Sequence, residues 1–228
     1  MNIKLLPPLS RFLVLLLKIH VAVLVLAVIG DIYAWFEYSH LAPGVDPSED
    51  LLTSDIVNLM VVVIQLPLTI FLGITFLRWI YRANANLHAL SSQPMTFTPG
   101  WSVGWYFIPI MNLFKPYQSM KEIWHVAHRT SEHDDVDLIL AWWWILWIAS
   151  QFIGRIALKL GLKAEDATSY TNSALADAFC DAIHIPLNIV AVILISRITS
   201  AYCQNFSEIP AAPPVAGSTF SAGPPLST

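Results

Sequence analysis

Charged side chains are scarce in this sequence. Asp, Glu, Lys and Arg make up 12% of its 228 residues, against about 25% in soluble globular domains. That shortage excludes a fully solvated surface. With 12 Lys and Arg against 16 Asp and Glu, it also excludes the basic stripe of a nucleic-acid binder. Cysteine is nearly absent. Cys180 and Cys203 fall in one predicted helix, roughly 34 Å apart at ~1.5 Å rise per residue, and so cannot bridge to each other. No disulfide framework is available, and no redox compartment can be read. There is no H-E-x-x-H, no phosphate-cradling glycine loop and no Cys-x-x-Cys pair, each of which would carry a recognisable chemistry. No catalytic residue, metal site or cofactor is assigned.

What fills the sequence instead is apolar: 56% of residues are hydrophobic and the mean hydropathy is +0.59. Four stretches, at about 12–35, 56–80, 136–158 and 176–198, are long enough for the ~20 residues that cross a ~30 Å hydrocarbon core. The first follows Lys4 and Arg11 as a signal peptide would. Its apolar run is longer than a secretory h-region and no small-residue cleavage site follows, so it reads as a retained span. The fold class expected is an all-α integral membrane protein with four transmembrane helices. Residues 1–206 form the membrane domain, and 207–228, rich in Pro, Ser, Gly and Ala, form a disordered tail.

Lysine and arginine orient the spans. Lys4, Arg11, Arg78, Arg82, Lys115, Lys121, Arg129 and Arg197 all belong to one side. The loop after the first span carries Glu37, Asp46, Glu49, Asp50 and Asp55 and no Lys or Arg. Lys159 and Lys163 face Glu165 and Asp166 in the other short loop, which weakens the bias without reversing it. Both termini are expected in the cytoplasm.

The second and fourth spans share letters without gaps. Pro67 aligns with Pro186, Leu68 with Leu187, Ile70 with Ile189, Arg78 with Arg197 and Asn86 with Asn205. The same offset lays the first span on the third, the pattern of a parallel 2+2 repeat of helical hairpins.

Residues 101–129 lie between the second and third spans. The apolar part, 101–113, is ~13 residues long and too short to cross. After Pro116, a first-turn proline, Tyr117, Met120, Ile123, Trp124 and Ala127 recur at helical spacing, with Lys121, Glu122, His125 and Arg129 on the opposite face. The reading is a re-entrant entry followed by an interfacial amphipathic helix on the cytoplasmic side. Trp105, Pro109, Asn112, Pro116, Gln118 and Glu122 are its candidate residues for ligand or partner binding, Asn112 and Gln118 because they carry donors and acceptors at a helix entry. An interfacial brace is the other reading, since tryptophans anchor ordinary helices at that depth.

Ionisable groups inside spans are the second candidate site, because lipid makes them expensive. Asp31, Arg155, Asp177, Asp181 and His184 cluster toward the outer ends. The spacing of Asp177, Asp181 and His184 puts them on one helical face, which fits a proton or small-solute path, or two carboxylates and an imidazole on a divalent ion. The structural reading pairs Arg155 with Asp181 or Asp31 and lets His184 bond within the bundle. Lys18 snorkels, while Asn58, Gln65, Gln151 and Asn188 serve as interhelical glue. His125, His128 and His133, with Asp134 and Asp135, read as a solvated polar face.

The central motifs carry a family likeness. Trp79, Arg82 and Asn86, then Gly104, Trp105, Pro109, Asn112, Leu113, Pro116, Gln118 and Glu122 resemble the signature of a bacterial membrane family catalogued as domain of unknown function 4328. Arg197, Thr199 and Gln204 resemble its closing helix. The resemblance implies a multi-span protein of the bacterial inner membrane and supplies no activity. Expected partners are the bilayer and a protein or small molecule of unspecified identity. Homo-oligomerisation is compatible with so small a bundle.

Overall fold

The computed structural model describes residues 6–42, 44–47, 52–130 and 138–206. The expected tail at 207–228, and His133, Asp134 and Asp135, lie outside the described residues. Those described form helices and no strand. In order these are α1 (Leu6–Ser39), α2 (Thr53–Leu90), α3 (Pro99–Gly104), two 3₁₀ turns (Trp105–Phe107 and Met111–Leu113), α4 (Lys115–His128), α5 (Leu138–Gly161) and α6 (Ala167–Phe206).

Helices α1, α2, α5 and α6 are long and apolar enough to cross a membrane. The shortest, α5, has 24 residues and spans ~36 Å at ~1.5 Å per residue, more than a ~30 Å hydrocarbon core. Local chemistry sets the ends. The α2 start is tied down by Asp55, whose carboxylate accepts from Leu52 N at 3.1 Å and from the Tyr38 hydroxyl at 2.6 Å. Ser54 N donates to Glu37 Oε2 at 3.0 Å, so a carboxylate sits against the otherwise orphaned first-turn N–H groups. Pro67 and Pro186 lie inside α2 and α6 without ending them, as neighbouring helices permit.

Helix α6 is central. It packs along α1 and α5, and α2 lies against α1 and bonds α6 through Gln65 and Asn86. Both expected hairpins form. Their joint is lopsided, however: α1 meets α6 along its length, while α2 and α5 approach through aromatics, Phe76 to Trp143 at 6.1 Å between ring centroids. Only 6% of the most apolar window of α2 is buried, so Leu59, Met60, Val63, Ile64, Ile70 and Ile74 face outward, as lipid-facing side chains do. The main core gathers where α1 begins and α6 ends: Leu6, Leu13, Trp79, Ile80, Met120, Ile123, Ile195 and Ile198.

The segment joining α2 to α5 is a hairpin. Helix α3 runs back along α2, the 3₁₀ turns form its tip, and α4 returns against α6 and α2. Thr98 caps α3 by accepting from Trp101 N at 3.4 Å, and Pro99 and Pro116 stand in first turns. One expectation changes here. Nine of the 14 residues of α4 are buried, Glu122 and His125 among them, so α4 is packed into the end of the bundle and does not present one free polar face. The reason is the loop at 91–98: the Glu122 carboxylate accepts from the backbone N–H groups of Thr96 and Phe97.

Candidate functional site

The six candidate residues of the hairpin go to four places. Trp105 stacks on Trp101, ring centroids 4.6 Å apart, with the Lys115 ammonium 6.0 Å from its own ring centroid. Pro116 is buried in the first turn of α4, and exposed Gln118 accepts from Lys115 Nζ at 3.1 Å. Glu122 faces inward to the 91–98 loop, whose Phe97 carbonyl also accepts from Asn84 Nδ2 at 3.0 Å. These residues hold the hairpin together.

Pro109 and Asn112 go elsewhere, to the hairpin tip. With Tyr106, Phe107 and Leu113 they face Trp147, Gln151, Phe152 and Arg155 of α5 across a cleft of about 210 Å³. Tyr106 seats the tip, meeting Phe76 and Trp147 edge-on at 6.3 Å each. Burial pushes its hydroxyl above the ordinary phenol range, so it stays neutral. On α5 the cleft wall runs from Trp147 to Arg155, roughly 12 Å along the helix. The tip therefore reaches well into the bundle.

Three polar atoms at this tip are buried without a hydrogen-bond partner: Trp105 Nε1, the Tyr106 hydroxyl and Asn112 Oδ1. Buried polar atoms are nearly always hydrogen-bonded, and an exception calls for an explanation. Arg155 is the single charged residue lining the cleft. The expected pairing with Asp31 or Asp181 is not formed: those carboxylates line a different pocket, and Asp181 Oδ1 accepts from Gln65 Nε2. Tyr106 and Trp147 escaped sequence reasoning, since an aromatic at helical spacing reads as core. Gln151 had been read as glue.

The other candidates assemble in part. Asp31, Asp177 and Asp181 line a second pocket of about 400 Å³ between α1, α2 and α6, with Asn58, Gln65 and Thr69. Gln65 Nε2 donates to Asp181 Oδ1 at 3.0 Å. His184 bonds Cys180 O of its own helix at 2.7 Å. No group of three His, Cys, Asp or Glu side chains able to hold a metal ion occurs among the described residues, so the divalent-ion reading finds no site. Below the pocket, buried His20 lies between Thr69 Oγ1 at 3.2 Å and Asn188 Nδ2 at 2.9 Å.

One motif also escaped sequence reasoning. Gly100, Trp101, Ser102, Val103 and Gly104 spell G-x-S-x-G, the pattern of a hydrolase nucleophile elbow. The structural context that would confirm it is missing. Ser102 lies inside α3 with no preceding strand, is fully buried, and donates to Pro99 O at 2.8 Å. It is a structural serine.

A family model described as "Domain of unknown function (DUF4328)" matches residues 44–200. The chain belongs to this DUF4328 family. No curated protein and no solved structure matches it. The DUF4328 match encloses every residue lining the hairpin cleft. It excludes α1, which supplies Ala27 and Asp31 to the acidic pocket and also supplies His20. The hairpin cleft is thus a feature of the DUF4328 region alone, while the acidic pocket is not.

Proposed function

We propose that this DUF4328 protein is a bacterial inner-membrane protein, both termini cytoplasmic, that binds a lipid-like amphiphile in the cleft between its hairpin tip and α5. The observation that carries the reading is a cleft that sets Asn112, Gln151 and Arg155 among the apolar side chains of Phe107, Leu113, Trp147 and Phe152. A few convergent polar groups among apolar walls is the ordinary make-up of a ligand site. The walls continue outward as exposed Phe107, Ile110, Phe152 and Ile156, a surface on which an acyl chain can lie. Arg78, Arg82, Lys115, Lys121 and Arg129 supply the positive-inside charge.

Photo-crosslinking tests this. Diazirine-bearing stearic acid and diazirine-bearing diacylglycerol are added to the full chain in nanodiscs, and labelled peptides are mapped. Saturable labelling at 107–113 and 147–156, suppressed in Asn112→Trp, is the expected result. Labelling spread over the outward face of α2 with no enrichment at the cleft sinks the reading.

A second reading rests on a different observation, the polar line that leads from the acidic pocket through Gln65 and Thr69 to His20 and Asn188. It fits a proton or small-cation path through α1, α2 and α6. Proteoliposome flux that vanishes in Asp181→Asn supports it, and absence of flux in the native protein removes it.

A further inference from the structure

We infer that the cleft is the midpoint of a passage by which phospholipid heads cross the bilayer, making the protein a passive lipid scramblase; this rests on the reading that an amphiphile binds between the hairpin tip and α5. Depth comes first. Gln151 lies thirteen residues after Leu138, the first of the 24 in α5. At ~1.5 Å per residue that is roughly 20 Å from the hairpin-side end of the helix, near the middle of a bilayer. Gln151, Arg155 and Lys159 recur at every fourth position, so they form one stripe along the helix, and all three are exposed. The stripe lines the cleft at Gln151 and Arg155 and runs on to the outer end of α5.

A charged stripe turned toward lipid is expensive, and a bilayer accommodates it by thinning locally and admitting water. Arg155 does not escape by reaching outward. Helical side chains tilt toward the N-terminus of their helix, which for α5 is the hairpin side, and Arg155 accordingly lines the cleft with Pro109 and Asn112. The hairpin tip makes a second demand for water. Between its 3₁₀ turns the chain at 108–110 is not helical, and irregular backbone at this depth is tolerated only inside protein or beside a watered cavity. Protein does not enclose the tip, for Phe107 and Ile110 are 71% and 72% exposed. A wet notch beside apolar side chains is what a crossing phospholipid needs. Its head travels in the notch while its acyl chains stay in hydrocarbon against Phe107, Ile110 and Phe152.

The chemistry of the stripe selects the head. The Arg155 guanidinium can hold phosphate oxygens by two hydrogen bonds, and Lys159 adds a cation one turn further out. Phosphate is common to all glycerophospholipids, so the passage fits that class and not one head group. Three residues after Asn112 the hairpin supplies its own cation, Lys115, which donates to exposed Gln118 at 3.1 Å. The sequence has no glycine loop for a nucleotide, and exchange down a gradient needs none, so lipid moves in both directions.

The test reconstitutes the full chain into vesicles carrying a trace of phosphatidylglycerol or phosphatidylcholine with a fluorescent acyl chain. Dithionite is then added, which bleaches dye in the outer leaflet only. Protein-free vesicles keep their inner-leaflet dye, and vesicles holding the protein are expected to lose it with either head. Arg155→Leu and Gln151→Leu turn the stripe apolar and are each expected to slow that loss by roughly tenfold or more, while Arg155→Lys keeps most of the rate. Gln151→Leu carries the test should Arg155→Leu fail to fold. Retention of inner-leaflet dye by the native protein, with saturable crosslinking at 107–113 and 147–156 intact, overturns the scramblase and leaves the amphiphile site standing. Loss of both overturns both. Bleaching untouched by either leucine variant, or matched by bleaching of a water-soluble dye sealed inside the vesicles, also overturns the passage.

Discussion

The side-chain amide of Asn188 on α6 donates to Nδ1 of His20 on α1 at 2.9 Å, and both residues are buried. The amide nitrogen can only donate, so Nδ1 is the acceptor and the ring proton sits on Nε2, 3.2 Å from Thr69 Oγ1 on α2. One imidazole thus ties three helices together. Thr69 and Asn188 are equivalent under the offset that aligns Pro67 with Pro186, and both meet the same imidazole. Asn188→Leu keeps the volume but leaves a buried ring nitrogen unpaired, at a cost of about 1–3 kcal/mol. Equilibrium unfolding in mixed micelles measures it, and an unchanged midpoint counts against the hub.

A second knot lies near the start of α1. Ser10 Oγ donates to Leu6 O at 2.9 Å and accepts from Trp79 Nε1 and Thr199 Oγ1 at 2.8 Å each. Ser10→Ala strands two donors and is expected to cost about 1–3 kcal/mol, more than Thr199→Val, which removes one partner cleanly. The order of the two variants in the same unfolding assay decides the point.

Glu122 is expected to act on the loop and not on ligand binding. Its carboxylate holds the backbone N–H groups of Thr96 and Phe97, and hydrogen bonds to a charged acceptor contribute about 1.5–3 kcal/mol. Glu122→Gln should accelerate amide exchange at 96 and 97 at least tenfold while leaving crosslinking at the cleft intact. Slow exchange in the variant would show that the loop is held by other contacts.

The start of α6 carries a pH dependence. Asp166 Oδ1 accepts from Ser169 N at 2.9 Å and Ser169 Oγ at 2.6 Å, and these bonds hold its carboxyl below the ordinary carboxylate range. A depressed folded-state value means the cap contributes above the unfolded value near ~3.9 and is lost as pH falls through the folded one. Amide exchange in the first turn of α6 is therefore expected to be pH-insensitive from neutrality to about pH 5 after correction for intrinsic rates, and to rise below the unfolded value. Ser169→Ala should abolish that step; its persistence would assign the transition to another acid.

Much of the fold was legible from length and apolarity. Four helices of span length follow from backbone chemistry: in lipid every N–H and C=O must bond internally, and helices accomplish that within one segment. Pro116 marked the start of α4, and the shortness of 101–113 excluded a fifth span. Glu122 was misplaced for a reason the same logic supplies. A charge opposite an apolar stripe normally faces solvent, but backbone donors at Thr96 and Phe97 satisfy it inside. Sequence spacing carries no sign of loop residues 25 and 26 positions upstream of Glu122 folding over that face.

By itself, then, the sequence determined the helices, their order, the charge asymmetry between their ends and the family. Periodicity states which residues share a face of one helix. It does not state which helix that face meets. Only the docking of the hairpin tip on α5 decided that Arg155 lines one cleft with Asn112 and Tyr106 while Asp31 and Asp181 line another. Only packing brought Thr69 and Asn188 to opposite sides of His20. Tertiary contacts select among the faces that local structure offers, because apolar surface is interchangeable along these helices and hydrogen-bonding geometry is not.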